Sequence, residues 1–563
     1  MSAERSTEAI PIWPTKEEFA ALVRKHMGVW IMDTETTGLD VRGPRAQHDA
    51  KYVGLMPQGS PYCCIFTRPR FEDIRATVEN LPLVGHNLRF DLHALSLDPK
   101  LPIEDTMVTA YFRNTVGRRS LDHLARVYGW EKIKTPDLIK KGRIMELDPH
   151  DVADYLADDC LITSRVFELQ HRGDLGQAPF DYEVERAVYN MESRGVCLLE
   201  DKLERLGARI QGETNDILVK LRREELLGDP NSPKQVAEWL LWRGRKLPKT
   251  PKGNWSTAKT ALQRLADNGD ELVTLLLAYR RHSKLTSAFI EPLPRMTRAN
   301  GMLYPQVNTT RTKTGRFSYS EPNLQQIPKR GGGLAKEFRK CFTSEFGGVT
   351  VADYSQVELR VAAALASEPV LLHAFDEGGD PHAEVAATML GKKVEDITPE
   401  ERFKAKAVNF GILNGMGAKR LALELKSTYA HAAEFLGNYK RSLPRLAEWM
   451  EGIWTLAETE MVARTASGRM RPFGPDENTR SAISVVVQGT AAEIMRRSLV
   501  AVDDEGLDPI LVVHDEIVVA GKGKKELLAE IMQDAAETTF PEELDQVAFP
   551  VEASHGDTWG HAS

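Results

Sequence analysis

The sequence is poor in cysteine, with five among its 563 residues. Cys63 and Cys64 are adjacent, the others are scattered, and no CxxC pair or Cys/His spacing indicates a zinc site. Such sparse cysteine excludes a disulfide-rich domain and is typical of a reducing compartment. The sequence also lacks a run of about 18 apolar residues and an N-terminal signal pattern of basic and then apolar residues. These absences predict a soluble, cytoplasmic protein that does not contact a membrane.

An overall excess of basic residues is also missing. The formal net charge is -8 and the pI is about 6.0, which argues against a small, basic nucleic-acid-binding module. Two local stretches are nevertheless basic: residues 233–260 hold seven Lys or Arg against one acid, and residues 311–340 hold eight against two. Such stretches can follow a phosphate backbone, although each alone is as readily a solvated charged face.

The length predicts three or four domains at about 150 residues each. Strand and helix patterns alternate to about residue 170, which predicts an α/β domain. The other predicted segments are a helical lead-in over residues 1–28, a linker over 171–179, a mainly helical region over 181–300, and returning strands from 301 that helices interrupt over about 380–460. Two apolar runs, Ile510–Val513 and Ile517–Ala520, predict a β-hairpin.

Three short segments in the first third of the chain offer four carboxylates: Asp33, Glu35, Asp91 and Asp159. The first two close a predicted buried strand, Asp91 follows another apolar run, and Asp159 lies on a predicted helix. Tyr155 shares a face of that helix with Asp159 because the two are four residues apart. Four converging carboxylates could hold two divalent cations roughly 4 Å apart, which activate water against a phosphodiester, and Tyr155 could orient that water. Each fragment alone is a weak signal, because Asp-x-Glu is more often a turn and Tyr-x-x-x-Asp is common in helices.

A second pair of acids, Asp353 and Asp515, comes from the C-terminal part of the chain. Asp353 ends a predicted strand that leads into an apolar helix. Asp515 lies at the tip of the predicted hairpin, together with His514 and Glu516. Side by side on a sheet, the two aspartates could hold two magnesium ions, which activate a primer 3′-hydroxyl and neutralise a triphosphate.

Between these aspartates, the sequence contains a helix with a clear start signal. The segment Thr398–Glu401 offers an N-cap, a proline at the first helical position and a capping box. Arg402, Lys406 and Phe410 then repeat every four residues on one side of the helix. Two cations and an aromatic ring on one face suit an anionic nucleotide with a flat base. Taken alone, a solvated Arg/Lys stripe beside a core phenylalanine is the more ordinary interpretation.

In their order, these segments resemble known protein families. The first set, with Gly85–Asn87 and Glu104–Thr106, resembles the tyrosine subtype of the DEDD exonuclease superfamily over roughly residues 25–170. The segments around Asp353, Arg402 and Asp515 resemble motifs A, B and C of family A DNA polymerases, such as bacterial DNA polymerase I and many phage enzymes. Further segments that resemble this family are Met191–Val196, Asn231–Gln235, Ser256–Thr257, Thr314–Ser318, Pro322–Pro328, Gln488–Ala492 and Gly556–Trp559.

The resemblance implies an α/β and α+β multidomain fold, in which an RNase H-like exonuclease domain precedes a right-hand polymerase with palm, fingers and thumb. The implied domains are residues 1–175 (3′→5′ exonuclease), 176–310 (thumb and the start of the palm), 311–379 (palm), 380–475 (fingers) and 476–563 (palm). Because the lead-in is short, a 5′-nuclease domain is not expected, and the layout resembles that of a phage replicative polymerase.

The implied function is template-directed DNA synthesis from deoxynucleoside triphosphates (dNTPs) at a primer 3′ end, with 3′→5′ proofreading. The implied cofactors are two Mg²⁺ ions per active site, which Mn²⁺ can replace. The implied partners are primer-template DNA, dNTPs and a helicase or other replisome protein, with the chain itself a monomer.

The resemblance assigns roles to individual residues. The implied metal ligands are Asp353 and Asp515 in one site and Asp33, Glu35, Asp91 and Asp159 in the other, with further catalytic roles for Glu516 and Tyr155. The implied nucleotide-binding residues are Arg402, Lys406, Phe410, His382, Glu358 and Gln356. The implied DNA-binding residues are Arg316, Arg330, Gln488, His514, Asn323 and Gln325. Among these, Glu358 is expected to exclude ribonucleotides at the sugar 2′ position, and Arg316 and Gln488 are expected to contact minor-groove acceptors that every correct base pair offers.

Two residues depart from the family pattern. Asn414 stands where the family usually has tyrosine, four residues after Phe410. Loss of that ring should change how the template base stacks, so altered fidelity or nucleotide selection is expected. Ser484 stands where the family usually has asparagine, which affects one minor-groove or template contact but not catalysis.

Two other functions fit parts of the sequence. One is a stand-alone 3′→5′ exonuclease whose C-terminal half only grips nucleic acid. Asp353 and Asp515, together with Arg402 and Lys406, argue against it. The other is a non-catalytic DNA-binding replication factor, which two complete carboxylate sets disfavour because packed acids repel DNA unless metal ions fill them.

Overall fold

The computed structural model describes residues 9–43, 48–172, 175, 178–327, 333–425 and 427–562. The chain divides into two compact units. The first unit spans residues 1–195, 304–325 and 349–555, and the second spans residues 196–303, 326–348 and 556–563. Each unit is therefore assembled from segments that are distant in sequence. The five domain ranges implied by the resemblance stay a prediction.

The N-terminal part of the first unit is an α/β layer structure. Its elements are β1 (Ile10–Ile12), α1 (Lys16–Lys25), β2 (Trp30–Thr36), β3 (Ala50–Pro57), β4 (Tyr62–Thr67), α2 (Arg68–Glu72), α3 (Arg75–Val78), β5 (Leu83–Gly85), α4 (Leu88–Leu95), β6 (Ile103–Asp105), α5 (Thr106–Arg113), α6 (Leu121–Val127), α7 (Asp137–Lys140), α8 (Pro149–His171) and α9 (Ala178–Arg194). The sheet order is β1-β4-β3-β2-β5-β6, with β3 antiparallel to both of its neighbours. The predicted α/β domain is confirmed.

Strand β2 separates two hydrophobic cores. Trp30 and Met32 pack into one core, whereas Ile31 packs into the other together with Leu156 of α8. Successive side chains on a strand point to opposite faces of the sheet, so a continuous apolar run serves both cores. Layers on both sides of β2 therefore bury this part of the strand completely.

The predicted helical lead-in is wrong in one respect. Within its described residues, β1 precedes α1 and pairs in parallel with β4, from Ile10 opposite Tyr62 to Ile12 opposite Cys64. A strand of three residues carries no periodic signal of its own, and the edge of β4 supplies its pairing. The helix that follows begins with a capping box at Thr15.

Residues 196–343 add several helices and two small sheets. The elements are β7 (Val196–Leu198), α10 (Glu200–Arg223), α11 (Pro233–Trp242), α12 (Lys259–Asp267), α13 (Glu271–Leu285), α14 (Leu293–Met296), β8 (Met302–Leu303), β9 (Gln306–Asn308), β10 (Ser318–Ser320), α15 (Gly333–Arg339) and β11 (Phe342–Thr343). The second unit contains the sheet β11-β7-β8 and a helical core around Leu221, Trp239 and Leu276. The other small sheet is formed by β10 and β9. The prediction of a mainly helical region over residues 181–300 is confirmed.

Residues 349–562 carry the second large sheet and most of the remaining helices. The elements are β12 (Val349–Tyr354), α16 (Val357–Ala366), α17 (Pro369–Asp376), α18 (Pro381–Leu390), α19 (Pro399–Leu413), α20 (Ala418–Glu424), α21 (Tyr429–Ser442), α22 (Pro444–Thr459), β13 (Val462–Arg464), β14 (Met470–Pro472), α23 (Ala482–Asp504), β15 (Pro509–Val513), β16 (Glu516–Ala520), α24 (Lys525–Thr539), α25 (Pro541–Leu544), β17 (Val551–Gly556) and α26 (Trp559–Ala562). The order of the large sheet is β15-β16-β12-β17. The predicted hairpin is confirmed as β15 and β16, and both strands are buried along their whole length.

A buried ionic cluster ties α9 to α23 inside the first unit. Asp181 of α9 accepts hydrogen bonds from Arg469 at 2.7 Å and from Arg496 of α23 at 2.8 Å. All three side chains are at most 3% exposed. Buried charges are tolerated only when they are paired in this way, so this cluster fixes the N-terminal α/β structure against the helix that also covers the second sheet.

The structure shows the state of the cysteines and the character of the helices. All five cysteines are free thiols, and four of them are buried. Among the helices that the structure describes, none is both long and apolar enough to cross a lipid bilayer.

Candidate active sites

Three acids of the first set meet where α8 packs on β2. Asp33 and Glu35 are two residues apart on β2, so their side chains leave the same face of the sheet. The helix α8 packs on this face and contributes Asp159. One carboxylate oxygen from each of these three residues lies within 4.8 Å of those from the other two.

Asp91, the fourth predicted acid, lies just outside this close group. It belongs to α4, and its Oδ1 accepts a hydrogen bond of 2.5 Å from Thr34 Oγ1. Thr34 lies between the two acids of β2 and therefore faces the other side of the strand. The negative charge of Asp91 still raises the pKa of Asp33, so the four acids form one electrostatic unit, called here the first carboxylate site (Asp33, Glu35, Asp91 and Asp159).

Burial raises the pKa of every carboxyl group in the first carboxylate site. The pKa of Glu35 rises to about 8, through burial and then the charge of Asp159. The pKa of Asp91 also rises to about 8 through burial, and that of Asp159 rises to about 6. The pKa of Asp33 is raised well above its usual value, first by burial and then by Asp91. Buried acids this close need protons or cations to balance their charge, and clustered carboxylate oxygens are the ligands that Mg²⁺ and Mn²⁺ prefer. The donor set therefore fits a divalent cation.

Lys132 also belongs to this site, although the sequence carried no signal for it. Its side chain is only 6% exposed and forms an ion pair with Asp159. Its Nζ also donates to the Tyr155 hydroxyl at 3.1 Å and lies 4.3 Å from the centre of the Tyr155 ring. In the sequence, Lys132 stands in a polar segment with a second lysine, Lys134, and looks like part of a solvated loop.

Asp353 and Asp515 lie on neighbouring strands of the second sheet. Asp353 of β12 pairs in antiparallel register with Glu516 of β16. Asp515 precedes Glu516 in the chain, and its carbonyl oxygen accepts a hydrogen bond of 3.1 Å from the Tyr354 amide. Paired residues of antiparallel strands have Cα atoms about 4.5–5.5 Å apart, so the backbones at the two aspartates are adjacent.

The hairpin tip differs slightly from its prediction. Glu516 was predicted at the tip but is the first residue of β16, and it is 1% exposed. The tip consists of His514 and Asp515, and His514 has a left-handed φ of 58°. Non-glycine residues adopt this conformation mainly in tight turns, which explains why the strand signal stops after Val513.

The helix α19 begins as the sequence predicted. Thr398 Oγ1 accepts from the Glu401 amide, Glu401 closes the capping box, and Pro399 is the first helical residue. Arg402 is not simply solvated, because its Nε forms an ion pair with Asp380 at the start of α18. Phe410 is only half-buried, so it is not a core residue. The Arg402 side chain is still 43% exposed, so the nucleotide-binding role of this helix face stays a prediction.

His382 joins α18 to this face of α19. Its ring centre lies 5.6 Å from that of Phe410, and Lys406 Nζ lies 6.0 Å from the same Phe410 ring. Asn409 Nδ2 donates to His382 Nδ1 at 2.9 Å. Burial lowers the pKa of His382 to about 4, so the imidazole is neutral near pH 7. Four of the predicted nucleotide-binding residues thus lie close together: the partly exposed Arg402, Lys406 and Phe410, and the buried His382.

A small cleft beside Asp515 contains several predicted DNA-binding residues. It has a volume of about 40 Å³. The lining residues are Arg316, Phe317, Gln325, Ala492, Met495, His514 and Asp515. Arg316 forms an ion pair with Glu358, the predicted ribose-sensing residue, and Gln325 Nε2 donates to the Phe317 carbonyl at 2.8 Å.

Among the remaining residues that the sequence singled out, the structure describes Gln356, Asn323 and Ser484. Gln356 precedes α16 with a left-handed φ of 56°, and Asn323 is half-buried just before Gln325. Arg330 lies outside the described residues. Ser484 is half-buried on α23, in the same helix as Gln488.

Asn414 makes a specific contact at the end of α19. Its Oδ1 accepts a hydrogen bond of 2.7 Å from Gln488 Nε2, and its Nδ2 donates to the Phe410 carbonyl at 2.7 Å. A tyrosine at this position could not accept a bond at Oδ1. Asn414, which departs from the family pattern, therefore connects the end of α19 to Gln488 of α23, a predicted DNA-binding residue.

The sequence is similar to those of known DNA polymerases. The sequence model of DNA polymerase family A matches residues 199–561. The chain is 36% identical over 398 residues to the thermostable DNA polymerase I of Thermus thermophilus, covering 66% of this chain and 47% of the relative. It is 30% identical over 577 residues to DNA polymerase I of Aquifex aeolicus, covering 94% of this chain and 95% of the relative. The chain spans about half the length of the Thermus relatives.

A solved structure has the same fold. The POL domain of Pol1 from M. smegmatis, in complex with DNA primer-template and dNTP, superposes with a TM-score of 0.82. The match covers 98% of this chain and 99% of the other, at 22% sequence identity. The mixed α/β multidomain architecture expected from the sequence is confirmed by this likeness. Together with the family match over more than half of the chain, these findings show that the chain belongs to DNA polymerase family A.

Proposed function

We propose that the chain performs template-directed DNA synthesis from dNTPs at a primer 3′ end, with Asp353 and Asp515 as ligands of divalent cations. The observation that carries this proposal is the register of β12 and β16, which makes the two aspartates neighbours. Two carboxylates suit Mg²⁺, because in such sites this ion takes its other ligands from substrate phosphates and water. When bound, Mg²⁺ or Mn²⁺ neutralises the triphosphate and favours ionisation of the 3′-hydroxyl. Membership of DNA polymerase family A supports the proposal.

The triphosphate would bind to the face of α19. Arg402 and Lys406 supply positive charge, and Arg402 would exchange its carboxylate partner Asp380 for a phosphate. Because Asn409 donates to Nδ1 of His382, the neutral imidazole carries its proton on Nε2 and can donate it to a phosphate oxygen. Phe410 would stack beside the base. Glu358 and Gln356, which flank the start of α16, would contact the sugar.

The primer terminus would lie at the cleft beside Asp515. Arg316, Gln488, His514, Asn323 and Gln325 would contact DNA there, and Arg330 extends the same predicted set. Arg316 Nη2 forms an ion pair with Glu358. A guanidinium has five N–H donors, so Arg316 can contact the minor groove while it pairs with Glu358. The pair would connect this DNA contact to the residue that is proposed to sense the sugar. Glu516 and His514 would support the primer end.

The first carboxylate site would trim mispaired primer ends in the 3′→5′ direction. The observation behind this proposal is the set of three carboxylate oxygens within 4.8 Å, whose burial demands cations or protons. Asp33, Glu35, Asp91 and Asp159 would hold the ions. Tyr155, one helical turn before Asp159 on α8, would orient the attacking water with its hydroxyl. Burial raises the pKa of that hydroxyl further, so it stays protonated and acts as a donor.

Two single variants test whether the chain contains two independent active sites. Asp353→Ala should abolish primer extension in the presence of Mg²⁺ and leave degradation of a mispaired primer intact. Asp33→Ala should do the reverse. Asp534→Ala, at an exposed position of α24, is the matched control and should retain both activities. Loss of both activities in either of the first two variants would contradict two independent sites.

The wild-type chain separates the alternative functions in the same assay. Degradation without extension would indicate a stand-alone exonuclease. Binding of primer-template without turnover would indicate a non-catalytic replication factor. The monomeric state, the helicase partner, the cytoplasmic location and the role in phage DNA replication stay predictions from the sequence.

A further inference from the structure

A buried lysine lies among the acids of the first carboxylate site. Lys132 comes from the segment between α6 and α7, and its side chain is 6% exposed. It forms an ion pair with Asp159 and donates to the Tyr155 hydroxyl at 3.1 Å. A further acid, Asp122, lies 4.0 Å away but is mostly exposed. A lysine is rarely buried to this extent unless it is paired. The contacts to Asp159 and Tyr155 therefore stabilise the buried position of the Lys132 ammonium group.

Other contacts from the same segment hold Lys132 in place. The Ile133 amide donates to Asp158 Oδ2 at 2.8 Å, and Thr135 Oγ1 lies 3.0 Å from the Tyr155 hydroxyl. Lys132, Ile133 and Thr135 thus form hydrogen bonds or an ion pair with α8, at Tyr155 and, one turn later, at Asp158 and Asp159. Such attachment fixes the ammonium group against the two residues that are proposed to bind a cation and to orient water.

We propose that Lys132 is a positioning residue of this site, which holds Asp159 and the Tyr155 hydroxyl and competes with a divalent cation for Asp159. The proposal rests on the proposed exonuclease function. An ammonium group and a metal ion repel each other when they share one carboxylate. Binding of a cation at Asp159 therefore has to displace Lys132 or bring it close to a like charge, and Lys132 lowers the affinity of the site for the metal. The same group keeps the Tyr155 hydroxyl in place, so it speeds the reaction that the metal supports.

This dual role predicts opposite changes in two measurements. Removal of the charge in Lys132→Met should tighten binding of Mn²⁺ by at least about tenfold. It should also slow cleavage of a mispaired primer at saturating Mn²⁺ by about tenfold or more, as is usual for the loss of a group that orients a reactant. A purely structural lysine would weaken metal binding and activity together.

Calorimetric titration with Mn²⁺ measures the first effect directly. The parent protein carries Asp353→Asn and Asp515→Asn, so that only the first carboxylate site can bind the ion. Lys132→Gln repeats the loss of charge with a polar side chain, in case the methionine variant folds poorly. Lys132→Arg keeps the charge and should stay within about threefold of the parent affinity. Lys134→Met, at a nearby exposed position, should match the parent, and thermal melts in EDTA check that each variant is folded.

Each outcome decides one question. Tighter Mn²⁺ binding with slower cleavage in both neutral variants supports the proposal. Unchanged or weaker binding in the folded neutral variants overturns it. If Asp33→Ala removes no Mn²⁺ binding from the parent, the proposed exonuclease function itself fails, independently of Lys132.

Discussion

Replacement of Asn414 by tyrosine should release Gln488 from α19. In the structure, Gln488 Nε2 donates to Asn414 Oδ1 at 2.7 Å. A tyrosine side chain offers no acceptor at this position, so the Gln488 amide would become free to contact the minor groove of a primer-template. Minor-groove acceptors occupy similar positions in all correct pairs. A freed Gln488 would thus detect a mispair more strongly, and misinsertion should fall.

The contact itself sets the size of the effect. Asn414 is exposed and Gln488 is half-buried, so the bond is one between neutral groups in contact with water. Such a bond contributes a net of about 0.5–1.5 kcal/mol. Because about 1.4 kcal/mol corresponds to a factor of ten, the frequency of misinsertion should fall by about twofold to tenfold.

Single-nucleotide insertion of correct and incorrect dNTPs measures this change. Asn414→Leu has a similar size to asparagine but neither accepts the bond nor adds a ring, so it separates release of Gln488 from stacking of an aromatic side chain. In a Gln488→Ala background, Asn414→Leu should have no further effect. The release of Gln488 is contradicted if misinsertion is unchanged in Asn414→Tyr. It is also contradicted if Asn414→Leu changes misinsertion as much in the Gln488→Ala background as in the wild-type background.

Three further predictions follow from buried or paired charges. Asp181→Asn should lower the free energy of unfolding by about 3 kcal/mol, because the buried Arg469 and Arg496 both lose a carboxylate partner and, among the residues that the structure describes, only Arg469 keeps another, Glu493. In urea denaturation, Asp534→Asn should change this free energy by less than about 0.5 kcal/mol, and an equal effect of the two substitutions would contradict the prediction. Burial raises the pKa of Glu35 to about 8, so in the metal-free protein this carboxyl holds its proton more tightly when folded than when unfolded. The stability that comes from this bound proton is lost as the pH rises from about 5 to 8. Mg²⁺ should therefore raise the melting temperature more at about pH 8 than at about pH 6, and a larger rise at the lower pH would exclude this linkage. Arg402→Gln should raise the KM for dNTPs by at least about tenfold through loss of a charged hydrogen bond, whereas Asp380→Asn should lower it, because Asp380 occupies Arg402 in the free enzyme; steady-state kinetics that give an increased KM for Asp380→Asn would rule out this competition.

Local sequence patterns were enough to predict several secondary-structure elements and the residues at their ends. The hairpin β15–β16 and the strand β12 were predictable because apolar runs bounded by polar residues specify buried strands. The start of α19 at Thr398 and Pro399 was predictable because cap chemistry lies within a few residues. The acids at strand ends followed in the same way, and their order in the chain indicated the family.

The pairing of polar side chains from distant segments could not be predicted in this way, because it depends on the tertiary fold. Arg402 pairs with Asp380 across 22 residues, Arg316 pairs with Glu358 across 42, and Gln488 bonds to Asn414 across 74. No periodicity in the sequence marks such pairs. A side chain finds its partner only after the packing of helices and sheets has removed water and brought distant segments within about 3 Å. For the same reason Lys132, in a polar stretch of the sequence, is a buried part of the first carboxylate site.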